Sequence, residues 1–425
     1  MLASRPNLRL TVVTLLALSV SLPMAALSLA KLLLFFTGLC FFAKEVFASR
    51  RTSVFPKGFT SPIVLICIAF WSISLFWTDA ELENALIAFV KHGKLLTIPI
   101  LLLLLKNSTE AKAGLFALAT GQCLVMVSSW LMAANIPVLW VARPSGPADP
   151  LTQFVPYADS YLDQSIMLAA TAGIFWHLTR GQARSISKSL WVFLAFGCLL
   201  NVVVLMPGRT GYILAIATAC FAAIFEVPRR YRWVVSVFTP LLLGLALYYS
   251  VPQFQQRVKL AAQELGSYGA APIVGSSIGA RLNMWRLSAT AIANAPLTGY
   301  GIGNWTPTVK KLSGPNAELV FGSGNRSNPH QELLLWTVEL GIAGAALFLG
   351  FLWALVRDTQ KLKLPIRRAT LSLVAMLFLT CLFNSPLYDD LMGDYFCITL
   401  GLLLALGLRD NQERSPSHFG SQVTD

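Results

Sequence analysis

His330 is one of several residues in this chain whose chemistry suits moving a proton or holding an anion. It lies in SNPHQELL, where Asn328 predicts a helix N-cap, Pro329 fits the first helical position and Gln331 completes a capping box. This pattern places His330 in the first turn of an apolar helix, where the positive end of the helix dipole favours a neutral imidazole. Such an imidazole can accept a proton from a hydroxyl group, although a histidine that merely caps the helix fits the position equally well.

Three arginines are candidates for binding an anion: Arg209, Arg281 and Arg286. A guanidinium group meets two oxygens of a phosphate at once, which an ammonium group does not. Arg209 is the most unusual, because MPGRTGY stands between two apolar runs with almost no loop. A cation at that depth generally has an anionic partner, although a lipid phosphate would also serve. Arginines beside a helix N-terminus suit a phosphate or diphosphate group.

Most of the chain around these residues is predicted to form membrane-spanning helices. The chain is 55% hydrophobic and 12% charged, whereas a soluble domain has about 25% charged residues. Apolar runs of about 20 residues recur throughout, which indicates an all-α polytopic membrane protein. The net charge of +13 is explained by basic loops on the cytoplasmic side, and we expect no nucleic-acid partner.

The apolar runs predict twelve transmembrane helices with both termini in the cytoplasm. The spans are about 8–29, 31–48, 60–77, 84–105, 112–132, 160–178, 188–206, 210–227, 232–250, 330–356, 368–386 and 391–408. Ser28 to Ala30 also resembles a signal-peptide cleavage site, but the apolar run that follows at once favours a helical hairpin. Alternate loops are rich in lysine and arginine, which sets the sidedness.

This topology divides the chain at one large outer loop. Residues 1–250 hold nine spans, 251–329 form a periplasmic loop domain, 330–410 hold three spans, and 411–425 form a cytoplasmic tail. Within the loop, 252–265 predicts an amphipathic helix lying on the membrane surface.

The second helix predicted in the loop spans 281–296. It places Arg281, Trp285 and Ser288 on one face and turns Arg286 away. The glycine-rich LTGYGIGNW that follows lacks the strand and the GK[ST] of a nucleotide site, so we interpret it as a flexible turn near a ligand or the membrane.

Four further charged residues are weaker candidates. Asp389 and Asp390 lie between spans eleven and twelve, and Lys91 and Lys94 are unusual charges within span four that could line a substrate cavity. The histidines and cysteines show no metal-ligand spacing, so no metal and no cofactor are predicted.

Four motifs together resemble those of the O-antigen ligase and polymerase superfamily. They are GRTGY (208–212), RLNMW (281–285), NAPLTGYGIGNW (294–305) and NPHQELLLWTVELGIAG (328–344). The twelve-span layout with its large outer loop is also similar, and the length favours the ligase branch.

The resemblance implies a metal-independent glycosyltransferase of the bacterial inner membrane whose active site faces the periplasm. It would move O-antigen polysaccharide from undecaprenyl diphosphate to lipid A–core with inversion. His330 would be the general base, Arg209 and Arg281 would hold the diphosphate, and Arg286 would be a secondary contact. Asp389 or Asp390 would match an acidic residue of the family.

Two other functions remain open at this point. An O-antigen polymerase would act on the same lipid carrier, but it would need no lipid A–core. A transporter of lipid-linked glycans usually has acidic residues within spans, for which Glu339 is the plausible example here.

Overall fold

The computed structural model describes residues 8–49, 58–141, 151–156, 160–180, 186–266, 277–314 and 327–413. All regular secondary structure in these ranges is helical. The helices are α1 (Leu8–Ser19), α2 (Met24–Ser49), α3 (Thr60–Ser74), α4 (Leu82–Gly93), α5 (Thr97–Leu104), α6 (Ser108–Ala133), α7 (Tyr161–Thr179), α8 (Ile186–Leu205), α9 (Arg209–Glu226), α10 (Arg232–Ser250), α11 (Pro252–Gly266), α12 (Ser277–Asn294), α13 (Trp305–Ser313), α14 (Glu332–Gln360), α15 (Leu364–Phe383) and α16 (Asp390–Glu413).

Nine helices in the described ranges are long and apolar enough to cross a membrane. They are Met24–Phe47, Leu82–Leu104, Ser108–Ala133, Lys188–Leu205, Arg209–Glu226, Arg229–Ser250, Glu332–Gln360, Leu364–Phe383 and Asp390–Glu413. The prediction of an all-α multi-pass membrane protein is therefore confirmed, whereas only nine of its twelve spans meet this criterion.

The remaining three predicted spans do not meet this criterion, each for its own reason. Helix α1 has 12 residues, so it is about 18 Å long and too short for a hydrocarbon core of about 30 Å. The turn after it lies at 20–23, not at residue 30, because Pro23 disfavours helix before it. Helix α3 has 15 residues, so it is also too short to span that core. Helix α7 carries several polar residues and is buried along most of its length, between α8, α9 and α15.

The segment predicted as a surface helix at 252–265 is helical and forms α11. The second predicted helix begins four residues earlier than expected and forms α12. Ser288 is buried and Arg286 is exposed, which confirms the predicted division of this helix into two faces.

The glycine-rich segment at 297–305 is packed against a break in α14, which corrects its interpretation as a flexible turn. Gly341 has a φ of +62° and interrupts α14. The amides of Tyr300 and Gly301 donate to the carbonyls of Val338 and Glu339 just before the break, at 3.0 and 2.8 Å. The amide of Ile342 just after it donates to Pro296. The segment thus satisfies backbone groups that the break would leave without partners.

Candidate active site

Four helix ends meet at one end of the helical bundle, and the predicted site residues lie there. Helices α9, α14 and α16 begin at this end and α15 finishes there, and α12 packs against α14. We call it the site end. The opposite end carries Arg229 and Arg230.

A short chain of hydrogen bonds links Arg281 to the first turn of α9, which Arg209 opens. Arg281 Nη2 donates to Oδ1 of Asn384 at 3.4 Å, and Nδ2 of Asn384 donates to Oγ1 of Thr210 at 3.4 Å. Thr210 directly follows Arg209 in α9. Arg281 and the neighbour of Arg209, Thr210, therefore contact the same amide side chain from two helices.

His330 precedes the helix and does not lie in its first turn, so this part of the prediction is wrong. Helix α14 begins at Glu332, and Gln331 is its N-cap, with its side chain accepting from the Leu334 amide. His330 has a φ of +52°. Its amide donates to Oδ1 of Asn328 at 2.9 Å, which forms a local turn in place of the expected helix cap.

Trp285 joins α12 to the peptide that carries His330. Its indole nitrogen donates to the carbonyl of Pro329 at 3.0 Å. Trp285 lies one turn beyond Arg281 on the same helix. The contact therefore fixes the segment before His330 against the helix that bears Arg281.

Arg209 has the anionic partner that its depth predicted, and the partner is Glu264 in α11. The two terminal nitrogens of the guanidinium group donate to the two carboxylate oxygens at 3.1 and 3.0 Å. Sequence reasoning missed Glu264, because no pattern marks a contact between residues 55 positions apart.

Asp389 supports the segment before His330. Its Oδ1 accepts from Nδ2 of Asn328 at 3.0 Å, and Asn328 in turn holds the His330 amide. Burial raises the pKa of Asp389 to about 6, although the nearby lysines and the amide hydrogen bond lower it. Asp390 is more exposed and lies 3.7 Å from Lys94. Of the two predicted carboxylates, Asp389 is the one connected to His330.

Lys94 and Lys91 hold the turn that contains Asp389. Lys94 is 3% exposed, and its Nζ donates to the carbonyls of Asp389 at 2.7 Å and Tyr388 at 3.3 Å. Lys91 lies 4.6 Å from the centre of the Tyr388 ring. These contacts place both lysines against the turn that carries Asp389, and their lining of a substrate cavity stays a prediction.

Arg286 lies apart from these contacts. It is exposed on α12, on the side away from Trp285 and Ser288, and its carbonyl accepts from the Thr290 hydroxyl. Its predicted role as a secondary phosphate contact has no support from this placement.

Comparison with known families identifies the segment that carries the site. Residues 192–349 match the family model for O-antigen ligase. The match covers 158 of the 425 residues and shows that this segment is similar to that family. Arg209, Arg281 and His330 all lie inside the O-antigen ligase segment, whereas Asp389 lies beyond it. A search of curated proteins finds no match.

The O-antigen ligase segment thus brings a histidine and two guanidinium groups to one end of the bundle. Guanidinium groups neutralise charge on phosphate oxygens. A histidine at the same end of the bundle can take a proton from an attacking hydroxyl group. The arrangement suits a transfer reaction in which a phosphorylated group leaves.

Proposed function

We propose that this protein transfers O-antigen polysaccharide from undecaprenyl diphosphate to a sugar hydroxyl of lipid A–core, at the periplasmic face of the bacterial inner membrane. The O-antigen ligase match supports a glycosyl-transferring enzyme with polysaccharide and lipid-linked substrates. The observation that carries the finer proposal is the link from Arg281 through Asn384 to the first turn of α9; Arg281 and α9 lie inside that match, and Asn384 lies beyond it.

His330 acts as the general base in this reaction. Its imidazole takes the proton of the acceptor hydroxyl, whose oxygen forms a bond to the anomeric carbon of the polysaccharide. The bond between that carbon and the phosphate oxygen breaks, and its electron pair leaves with the lipid diphosphate. Attack opposite the leaving group inverts the anomeric centre.

Arg209 and Arg281 stabilise the leaving diphosphate. Charge builds up on the phosphate oxygen as its bond to carbon breaks, and preplaced guanidinium groups are worth most where charge develops. The energy for transfer resides in the donor itself, so the reaction needs no nucleotide, and we propose that it uses no metal.

A reconstituted assay tests the proposal. The purified protein is combined with lipid-linked O-antigen and lipid A–core in the presence of a chelator and without nucleotide. We expect ligated lipopolysaccharide from the wild type and none from His330→Ala. Absence of product from a folded wild-type protein would refute the proposal.

The same assay separates the alternatives. Longer glycan on the lipid carrier, made without lipid A–core, would indicate a polymerase, which the same superfamily includes. Movement of intact lipid-linked glycan across proteoliposomes, with no new glycosidic bond, would indicate a transporter.

A further inference from the structure

The carboxylate of Glu264 is held as a phosphate group would be held. Both terminal nitrogens of Arg209 donate to it, Nη1 to Oε2 at 3.1 Å and Nη2 to Oε1 at 3.0 Å. This fork geometry is the one that arginine also uses with phosphate. The carboxylate therefore occupies the place at which the side chain of Arg209 can bind an anion.

The N-terminus of α12 supplies an independent donor to the same carboxylate. The amide of Ile278 donates to Oε2 of Glu264 at 3.2 Å, and α12 is a helix of 18 residues. Amides at a helix N-terminus, with the positive end of the helix dipole, favour an anion. Arg209 and Ile278 thus converge on one oxygen from two helices.

Arg209 also has binding capacity left. Its Nε is buried and makes no hydrogen bond to any part of the chain that the structure describes. A diphosphate has more acceptor oxygens than a carboxylate and a larger negative charge. It could use the fork, the helix amide and this remaining N–H together.

The helix that carries Glu264 is lightly attached. None of the residues of α11 is buried, and a single residue, Val251, separates it from α10. Phe254 packs against the ring of Tyr212 in α9, with ring centres 5.1 Å apart. A helix with so little buried surface opens at low cost in free energy.

We propose that Arg209 and the N-terminus of α12 form the phosphate site for the lipid diphosphate donor, and that Glu264 fills this site until the donor displaces it. This inference rests on the proposed function, because it takes a diphosphate as the ligand of Arg209. It adds the Ile278 amide to the binding groups and makes α11 the element that moves when the donor enters.

Binding of inorganic pyrophosphate to the purified full-length protein in detergent tests the proposal, by titration calorimetry. Glu264→Gln removes the competing charge and keeps the side-chain size. We expect pyrophosphate to bind about five- to tenfold more tightly to this variant, since a partly exposed charged pair is removed from competition.

A second variant separates competition from a general change in charge. Glu264→Asp keeps the charge but is one methylene shorter, so its carboxylate cannot bridge both donors. We expect tighter binding of pyrophosphate here too, whereas a purely electrostatic effect would leave the affinity unchanged. The matched control is Glu226→Gln, which breaks the 3.1 Å pair with Arg180 at the other end of α9 and should leave the affinity unchanged.

Hydrogen exchange of the α11 amides provides the structural readout. Pyrophosphate should increase exchange in residues 252–266 of the wild type, and Glu264→Gln should show the increase without ligand. Unchanged or weaker binding by Glu264→Gln would overturn the displacement proposal and indicate that Glu264 orients Arg209. If the wild type itself does not bind pyrophosphate, the diphosphate role of Arg209 fails as well, and the transfer assay then tests the reaction separately.

Discussion

Replacing His330 with asparagine separates its chemistry from its backbone role. His330 has a φ of +52°, a conformation that costs most residues about 1–2 kcal/mol and that asparagine adopts more readily. The hydrogen bond from residue 330 to Asn328 uses the backbone amide, so it survives the change. We therefore expect His330→Asn to fold and insert at least as well as the wild type.

The activity should fall nonetheless, because an amide cannot accept the hydroxyl proton. A general base contributes about 10²- to 10⁴-fold to a rate, which corresponds to about 3–5.5 kcal/mol in the activation barrier. We expect kcat for ligation to fall by this factor while the KM for the donor stays within about threefold.

The assay compares His330→Asn with His330→Ala in the reconstituted reaction, alongside their melting temperatures in detergent. Alanine adopts this positive φ less readily than histidine, whereas asparagine adopts it readily. A loss caused by basicity will be equal in the two variants, and one caused by folding will be larger in alanine. An asparagine variant with more than about a third of the wild-type kcat would refute the general-base role.

Three further predictions concern the groups around His330. Arg281→Lys keeps the charge but loses the planar fork, so the KM for the lipid diphosphate donor should rise about tenfold, whereas removal of exposed Lys311 by alanine should not change it. Burial raises the pKa of Asp389 from 3.8 to about 6 in the folded protein, so the folded state holds this proton more tightly and stability is lost as the pH rises from about 4 to about 6. The melting temperature should therefore fall further between pH 4 and 6 in the wild type than in Asp389→Asn, and an equal change in both would contradict this assignment. Gly299→Ala should destabilise the fold by roughly 2–4 kcal/mol, because the φ is +64° and the added carbon would lie 2.5 Å from the Gly341 nitrogen. Gly244→Ala, where nothing lies within 4 Å of the added carbon, is the control in thermal unfolding.

Helices α11 and α12 could be predicted because their apolar spacing is local. The faces of α12 followed from the positions of Ser288 and Arg286 alone. The apolar runs likewise predicted a polytopic helical protein, and hydropathy over a window of residues is enough to detect such spans.

The exact start of α14 was not predictable from the capping signals, because two caps compete there. Asn328 and Gln331 both suit the N-cap position, and the structure uses Gln331 for the helix and Asn328 for the turn before it. The side chain of Asn328 also donates to Asp389, which lies 61 residues further along the chain. A local pattern contains no information about such a partner.

The partners of the arginines and lysines could not be predicted from the sequence either, because they are also tertiary contacts. An anionic partner for Arg209 was expected from its depth, but nothing distinguished Glu264 from the other carboxylates. Lys94 binds backbone carbonyls, which no sequence pattern specifies. The glycine-rich segment was misread because its partner is the break at Gly341, 40 residues later.

A cryo-EM structure with a non-transferable lipid diphosphate glycan bound would test the central claim most directly. We expect the diphosphate within hydrogen-bonding distance of both Arg209 and Arg281, and the imidazole of His330 facing the side of the sugar opposite the leaving group. A diphosphate bound away from both arginines, or a His330 ring directed into the hydrocarbon, would contradict the account.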